Sequence, residues 1–121
     1  MNNLDYSIIY AVLQAETSEQ LSLGLITVDE NGVQIKCSTK KLNALKLLLP
    51  EKKYNYISNI VYSLKNNKSI NSIETINYMT RYSNNLLTLS SLKRIDLEPT
   101  EKNKKWLYRN YVYNGGETET A

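Results

Sequence analysis

Any chemistry in this chain has to come from carboxylates, hydroxyls and cations. It contains no histidine and a single cysteine, Cys37, which removes the commonest general base and metal ligand. Zinc sites of the Cys/His kind are excluded with it, and serine triads and Cys–His dyads fail for want of a base. Gly24 and Gly32 stand isolated in a run of apolar residues and in a turn, so they build no phosphate-cradling loop. Among the acids, Glu19, Asp29 and Glu30 flank one apolar run, and Asp5 or Asp96 could complete an oxygen set for a divalent cation. A strand from Glu19 to Asp29 holds its two ends about 30 Å apart, so those two cannot share a site. The expectation is solvated or lysine-paired acids, with no metal and no other cofactor. Glu19, at a strand entrance, is suited to accept backbone N–H groups and order the loop before it; ligand contact is the less favoured role. Cys37 closes an apolar alternation and reads as a small buried hydrophobe.

The cations offer more. Ser90, Ser91, Lys93 and Arg94, with Lys102, Lys104, Lys105 and Arg109 beyond them, form the best candidate for a surface that holds an anion or an acidic partner. The plainer reading is a solvated helix face. Tyr108, Tyr111 and Tyr113 lie beside these cations and could stack on bases. With Trp106 and Leu107 they could equally seal the core or fill a protein interface, where Tyr, Trp and Arg are enriched. The net charge of +3 is mild, and Lys and Arg alternate with acids over most of the length. A dedicated nucleic-acid binder shows a more concentrated basic face.

These groups are positioned by elements whose periodicity is legible. In the first run Tyr6, Ile8, Tyr10 and Val12 share one face and Ile9, Ala11 and Leu13 the other, as in a strand buried on both sides. A polar loop follows, and then a second strand. Leu21, Leu23 and Leu25 fall on one of its faces, Gly24, Ile26 and Val28 on the other. A glycine inside a strand signals a bulge or a close approach at Gly24. Asn31-Gly32 is a hairpin signal, because both residues tolerate positive φ. A third strand, Val33 to Cys37, turns Val33, Ile35 and Cys37 inward and Gln34 and Lys36 outward. Ser38-Thr39 then caps a helix carrying Leu42, Leu45 and Leu49, which Pro50 ends. The second helix covers about Lys52 to Asn66 with Tyr54, Ile57, Ile60 or Val61, and Leu64 as its stripe. A third, from about Ile70 to Tyr82, carries Ile73, Ile76 and Met79 against a poor helical composition. Asn84-Asn85 reads as a turn. Leu86 to Leu97 is extended, with Ser90-Ser91 interrupting it. Thr100 caps a last helix from about Glu101 to Tyr111.

The order β-β-β-α-α-α-β-α implies an α+β domain: an antiparallel sheet of about four strands with helices packed on one face. Residues 1–114 form that domain and 115–121 a polar, disordered tail. A length of 121 residues suits one core without disulfides or metals. Ten tyrosines and no phenylalanine mean that the aromatic core carries hydroxyls needing a partner or the surface. A lone cysteine suits a reducing compartment. The first residues lack the charge and apolar core of a signal peptide, and no run approaches the ~20 residues of a membrane span. The expected location is cytoplasmic, without membrane attachment.

Several stretches resemble the bacterial family catalogued as domain of unknown function 3037. They are Tyr6-Ser7-Ile8-Ile9-Tyr10, Ser18 to Ile26 ahead of Asp29, Lys41-Leu42 with Leu48-Leu49-Pro50, Leu87 to Ser90, Asp96 to Pro99, and Trp106 to Val112. Their order matches the family over most of the chain. In the signature, Glu19 and Gly24 match, whereas Ser18 and Ser22 stand at family-like glycine and asparagine positions and the preceding arginine is absent. The resemblance implies no assigned activity; it implies genes that sit beside those of HipA-like kinases, and so a partner protein. Chemistry and resemblance together point to a small non-catalytic interaction or accessory protein, with a protein partner or a second copy of itself. It would work with such a kinase or within a stress or defence system. The alternative is a nucleic-acid or nucleotide-binding module using the basic, tyrosine-rich C-terminal helix.

Overall fold

A computed structural model describes residues 4–14, 16–66, 73–81 and 86–113. The expected Asn84-Asn85 turn, the tail over 115–121, and the Ile70 and Tyr82 ends of the third helix lie outside the described residues. The elements run β1 (Leu4–Gln14), β2 (Glu19–Asp29), β3 (Gly32–Cys37), α1 (Thr39–Leu48), α2 (Glu51–Asn66), α3 (Ile73–Arg81), β4 (Leu87–Leu89), β5 (Lys93–Ile95) and α4 (Glu101–Tyr111). The fold is α+β on an antiparallel sheet, ordered β3-β2-β1-β4, with β5 also pairing with β1. The expected closing strand is therefore two short strands on one edge of β1. Ser90 bridges the gap between them. Its hydroxyl accepts the Ile8 N–H at 2.8 Å, and its carbonyl accepts from Ser7 Oγ at 2.7 Å.

Alternation along β1 sorts the core into two layers. Ile9 and Ala11 join Leu23, Ile26, Cys37, Leu45, Leu49, Ile57, Val61, Leu64, Ile76 and Leu87 on one face. Leu4, Tyr6 and Ile8 join Leu25, Leu107, Tyr108 and Val112 on the other. Helices thus cover both faces: α1, α2 and α3 on one, α4 alone on the other. Placing every helix on one face is corrected by β1 itself, since a strand that is apolar on both sides needs a cover on both.

Gly24 lies beside a bulge. The pairing with β1 steps from Ile9↔Gly24 to Tyr10↔Ser22, which leaves Leu23 as the extra residue. The bulge turns Leu21 and Leu23 to the side of Ile26 and Val28, so Leu25 parts from the leucines it was expected to join. A Cβ on Gly24 would stand 2.8 Å from Cys37 Sγ and 2.9 Å from the Lys36 carbonyl. The hairpin between β2 and β3 turns one residue earlier than Asn31-Gly32 suggests. Asp29 pairs with Gly32, and of these turn residues Gly32 alone takes positive φ, at 121°. Asp29 Oδ1 accepts the Asn31 N–H at 2.7 Å and closes the turn locally.

Candidate functional site

Helix α4 begins at Thr100, whose hydroxyl accepts the Asn103 N–H at 3.2 Å. It then lies along the second face of the sheet, held by Leu107, Tyr108 and Val112. Its amino-terminal half meets the β2–β3 hairpin. There Lys104 Nζ stands 2.8 Å from Asp29 Oδ2 and donates to Gln34 Oε1 at 2.9 Å. Both side chains are largely covered, that of Lys104 12% and that of Asp29 3% exposed. The Lys104 hydrogen bond holds the Asp29 carboxyl below its ordinary value of 3.8; burial opposes this and the Asn31 N–H assists it. Further along, Lys36 Nζ lies 5.0 Å from the centre of the Tyr108 ring. At the helix's far end Lys41 Nζ donates to Ser22 Oγ at 2.8 Å and to the Val112 carbonyl.

Between α4 and the hairpin a cleft of about 310 Å³ remains, lined by Leu25, Thr27, Gln34, Lys36, Glu101, Lys104 and Lys105 among others. Its sheet side is built by register: Leu25 pairs with Lys36 and Thr27 with Gln34, so these four side chains point to α4. The outer face of α4 is different. Lys102, Trp106 and Arg109 share it at i, i+4, i+7 spacing and are exposed, with Trp106 at 45%, and the exposed Lys105 stands where this face meets the cleft.

The structure divides the residues that the sequence grouped. Lys105 and Arg109 are on α4, facing away from the sheet's other cover. Arg94 pairs with Asp5 in the β1–β5 ladder and bonds its carboxylate at 2.9 Å, on the face of α1 to α3. Lys93 stands opposite Tyr6 and is exposed. Ser90 is occupied in joining the strands, and Ser91 lines a separate hollow of about 260 Å³ with Ser7 and Asn77. The signature residues also separate: Glu19 is exposed at the start of β2, Ser22 holds Lys41, and Gly24 is packed against Cys37. Of the tyrosines, Tyr108 is buried. Tyr111 stacks on Tyr6 with ring centres 5.3 Å apart, and its hydrogen bond, with burial, pushes the Tyr6 hydroxyl up to about 12.

Sequence reasoning missed Thr27, Gln34 and Lys36 as companions of the α4 lysines. The signal available was the outward parity of Gln34 and Lys36, which reads as a wet face until α4 is placed over it. Among the described residues no group of three or more His, Cys, Asp or Glu side chains gathers in a metal-holding arrangement, and no helix is long and apolar enough to cross a membrane. Comparison with protein-family models, with curated proteins and with solved structures gives no match.

Proposed function

We propose that this chain is a small non-catalytic interaction protein that presents the outer face of α4 to an acidic surface of a protein partner. The observation that carries this reading is Trp106, 45% exposed between Lys102 and Arg109 on one helix face, with Lys105 at its margin. An indole left in water among cations forfeits the burial such a large side chain gains elsewhere, and Trp and Arg are the residues that dominate binding energy at protein interfaces. The basic tyrosine platform of the nucleic-acid alternative has less support, because Tyr108 is buried and Tyr111, though 41% exposed, has its ring stacked on Tyr6. The resemblance to the family of domain of unknown function 3037 supports a HipA-like kinase as the partner.

Mixing the purified chain with a HipA-like kinase of the same host, followed by size-exclusion chromatography and calorimetry, tests the proposal. The complex should form, and Trp106→Ala should weaken it at least about tenfold, as truncation of a hot-spot tryptophan does. A kinase that fails to bind, or binds Trp106→Ala as well as the original chain, refutes the assignment.

A further inference from the structure

Helix α1 carries leucines on two sides. Leu45 and its cap Leu49 are buried, as the apolar stripe of the helix requires. Leu47 and Leu48 lie off that stripe, 90% and 57% exposed. A leucine as exposed as Leu47 touches almost nothing of its own chain, so the core does not account for it, and alanine or lysine would serve the helix as well. Cations surround the pair. Lys46 precedes it in the last turn of α1, and Lys52 and Lys53 stand in the first turn of α2, all three exposed. Lys46 Nζ lies 5.5 Å from the centre of the Tyr54 ring, which ties the end of α1 to the start of α2 and holds the corner in shape. Glu51, in the same hollow as Lys46 and Tyr54, is the single acid between residues 46 and 53, so the corner is net positive.

We infer that the α1–α2 corner rests on a bilayer containing anionic phospholipid, with Leu47 and Leu48 entering the headgroup–acyl boundary and Lys46, Lys52 and Lys53 meeting the phosphates. Apolar insertion and a basic patch together give reversible attachment, where either alone is marginal. Charge and composition select this occupant. A second copy meeting the corner across a two-fold axis would set these lysines against the same lysines. Protein interfaces favour Trp, Tyr and Arg and are poor in lysine, and leucine is under-represented among the residues that dominate them. Here leucine and lysine are what the corner presents, and no arginine precedes Arg81. A side chain as exposed as Leu47 also stands out from the surface, which suits a fluid layer that it can enter. No span is involved: the expectation of no membrane attachment rests on run length and on the first residues, which do not register single leucines left in water. The corner belongs to the α1–α3 layer, whereas α4 covers the opposite side of the sheet, so this inference is independent of the reading of Trp106.

Co-sedimentation of the full chain with vesicles of phosphatidylcholine and phosphatidylglycerol in equal parts, and with vesicles of phosphatidylcholine alone, tests the inference. Binding is expected on the anionic vesicles, weakening as salt is raised, and at least about tenfold weaker on the neutral ones. Leu47→Ser should weaken it about tenfold, the scale of withdrawing one leucine from apolar surroundings, and should leave thermal unfolding unchanged. Lys52→Gln and Lys53→Gln should each weaken it about fivefold, and Glu51→Gln should strengthen it by a similar factor, a gain that a merely disturbed fold would not produce. Trp106, the single tryptophan, reports on the other side of the sheet, and its emission should not shift when vesicles bind. Absence of binding to the anionic vesicles overturns the inference, and so does a blue shift of Trp106, which would place α4 against the lipid. Binding that Leu47→Ser leaves unchanged would reduce the corner to a contact for any acidic surface, such as an acidic protein offers, and overturns it equally.

Discussion

Two residues in β2 carry stability that their exposure and charge make measurable. Gly24 has no room for a methyl group: one of the two close atoms is the Lys36 carbonyl, a backbone group that cannot swing aside. Gly24→Ala should lower stability by about 1–3 kcal/mol, the usual cost of forcing atoms into a packed core, read as a shift in denaturant midpoint. Adding Cys37→Ala to that variant should recover only part of the loss, since it clears the Sγ contact and leaves the carbonyl. Asp29 offers a pH test. Its folded-state carboxyl titrates below 3.8, so the stability it contributes is fully present above that ordinary value. It drains away as pH falls through the lower, folded one. Asp29→Asn should cost about 1–2 kcal/mol near neutral pH, because it leaves the half-buried Lys104 without its counter-charge. The gap between the two proteins in urea melts should then close as pH drops below 3.8. A gap that stays constant would show that the loss is not electrostatic.

At the level of elements, helix boundaries follow from single residues. Ser38 is fully buried and accepts the Lys41 N–H at 3.1 Å, capping α1 where the strand ends. Ser38→Ala should cost about 1–2 kcal/mol, and Thr100→Ala, at the exposed cap of α4, nearer 1 kcal/mol by the same measurement. Both caps, the stop at Pro50, the stripe of Tyr54, Ile57, Ile60 or Val61, and Leu64, and the break at Ser90-Ser91 were legible in the sequence, the structure burying Val61 more fully than Ile60. Each depends on local backbone chemistry or on a single period. What was not legible depends on partners distant in sequence. The bulge at Leu23 could be expected near Gly24, but its effect on the parity of the following leucines needs the register against β1. Gln34 and Lys36 look merely solvent-facing until α4, some seventy residues on, is laid over them. The pairing of Asp29 with Lys104 likewise has no sequence signal, since neither residue differs in type from any surface acid or lysine.

For the whole molecule, one sheet serves two cores. β1 and β2 each give side chains to both layers, so neither layer can unfold and leave the other a complete sheet face. Leu107, fully buried in the smaller core, is the place to test this coupling. Leu107→Ala should destabilise by about 2–5 kcal/mol. Far-UV circular dichroism, dominated by the other three helices, should shift together with the fluorescence of Trp106 on α4 in a single transition. Separate transitions would mean that α4 is an independent cover. The two-faced apolar pattern of β1 already contained this architecture. Its composition requires a second layer, and α4 is the element left to supply it.

The position of β1 has a consequence for how the chain comes together. One edge of β1 is closed by its hairpin neighbour, but the other waits for groups 83 and 89 residues away, at Ser90 and Arg94. Contacts of that separation form late, after the entropy of closing a long loop has been met. Until then β1 presents a bare ladder edge between two apolar faces, which is the geometry of an adhesive strand. The short β4 and β5 segments, three residues each, are therefore as much a seal against neighbouring copies as a part of the sheet. A chain cut after residue 85 should self-associate at concentrations where the full chain does not, as light scattering would report.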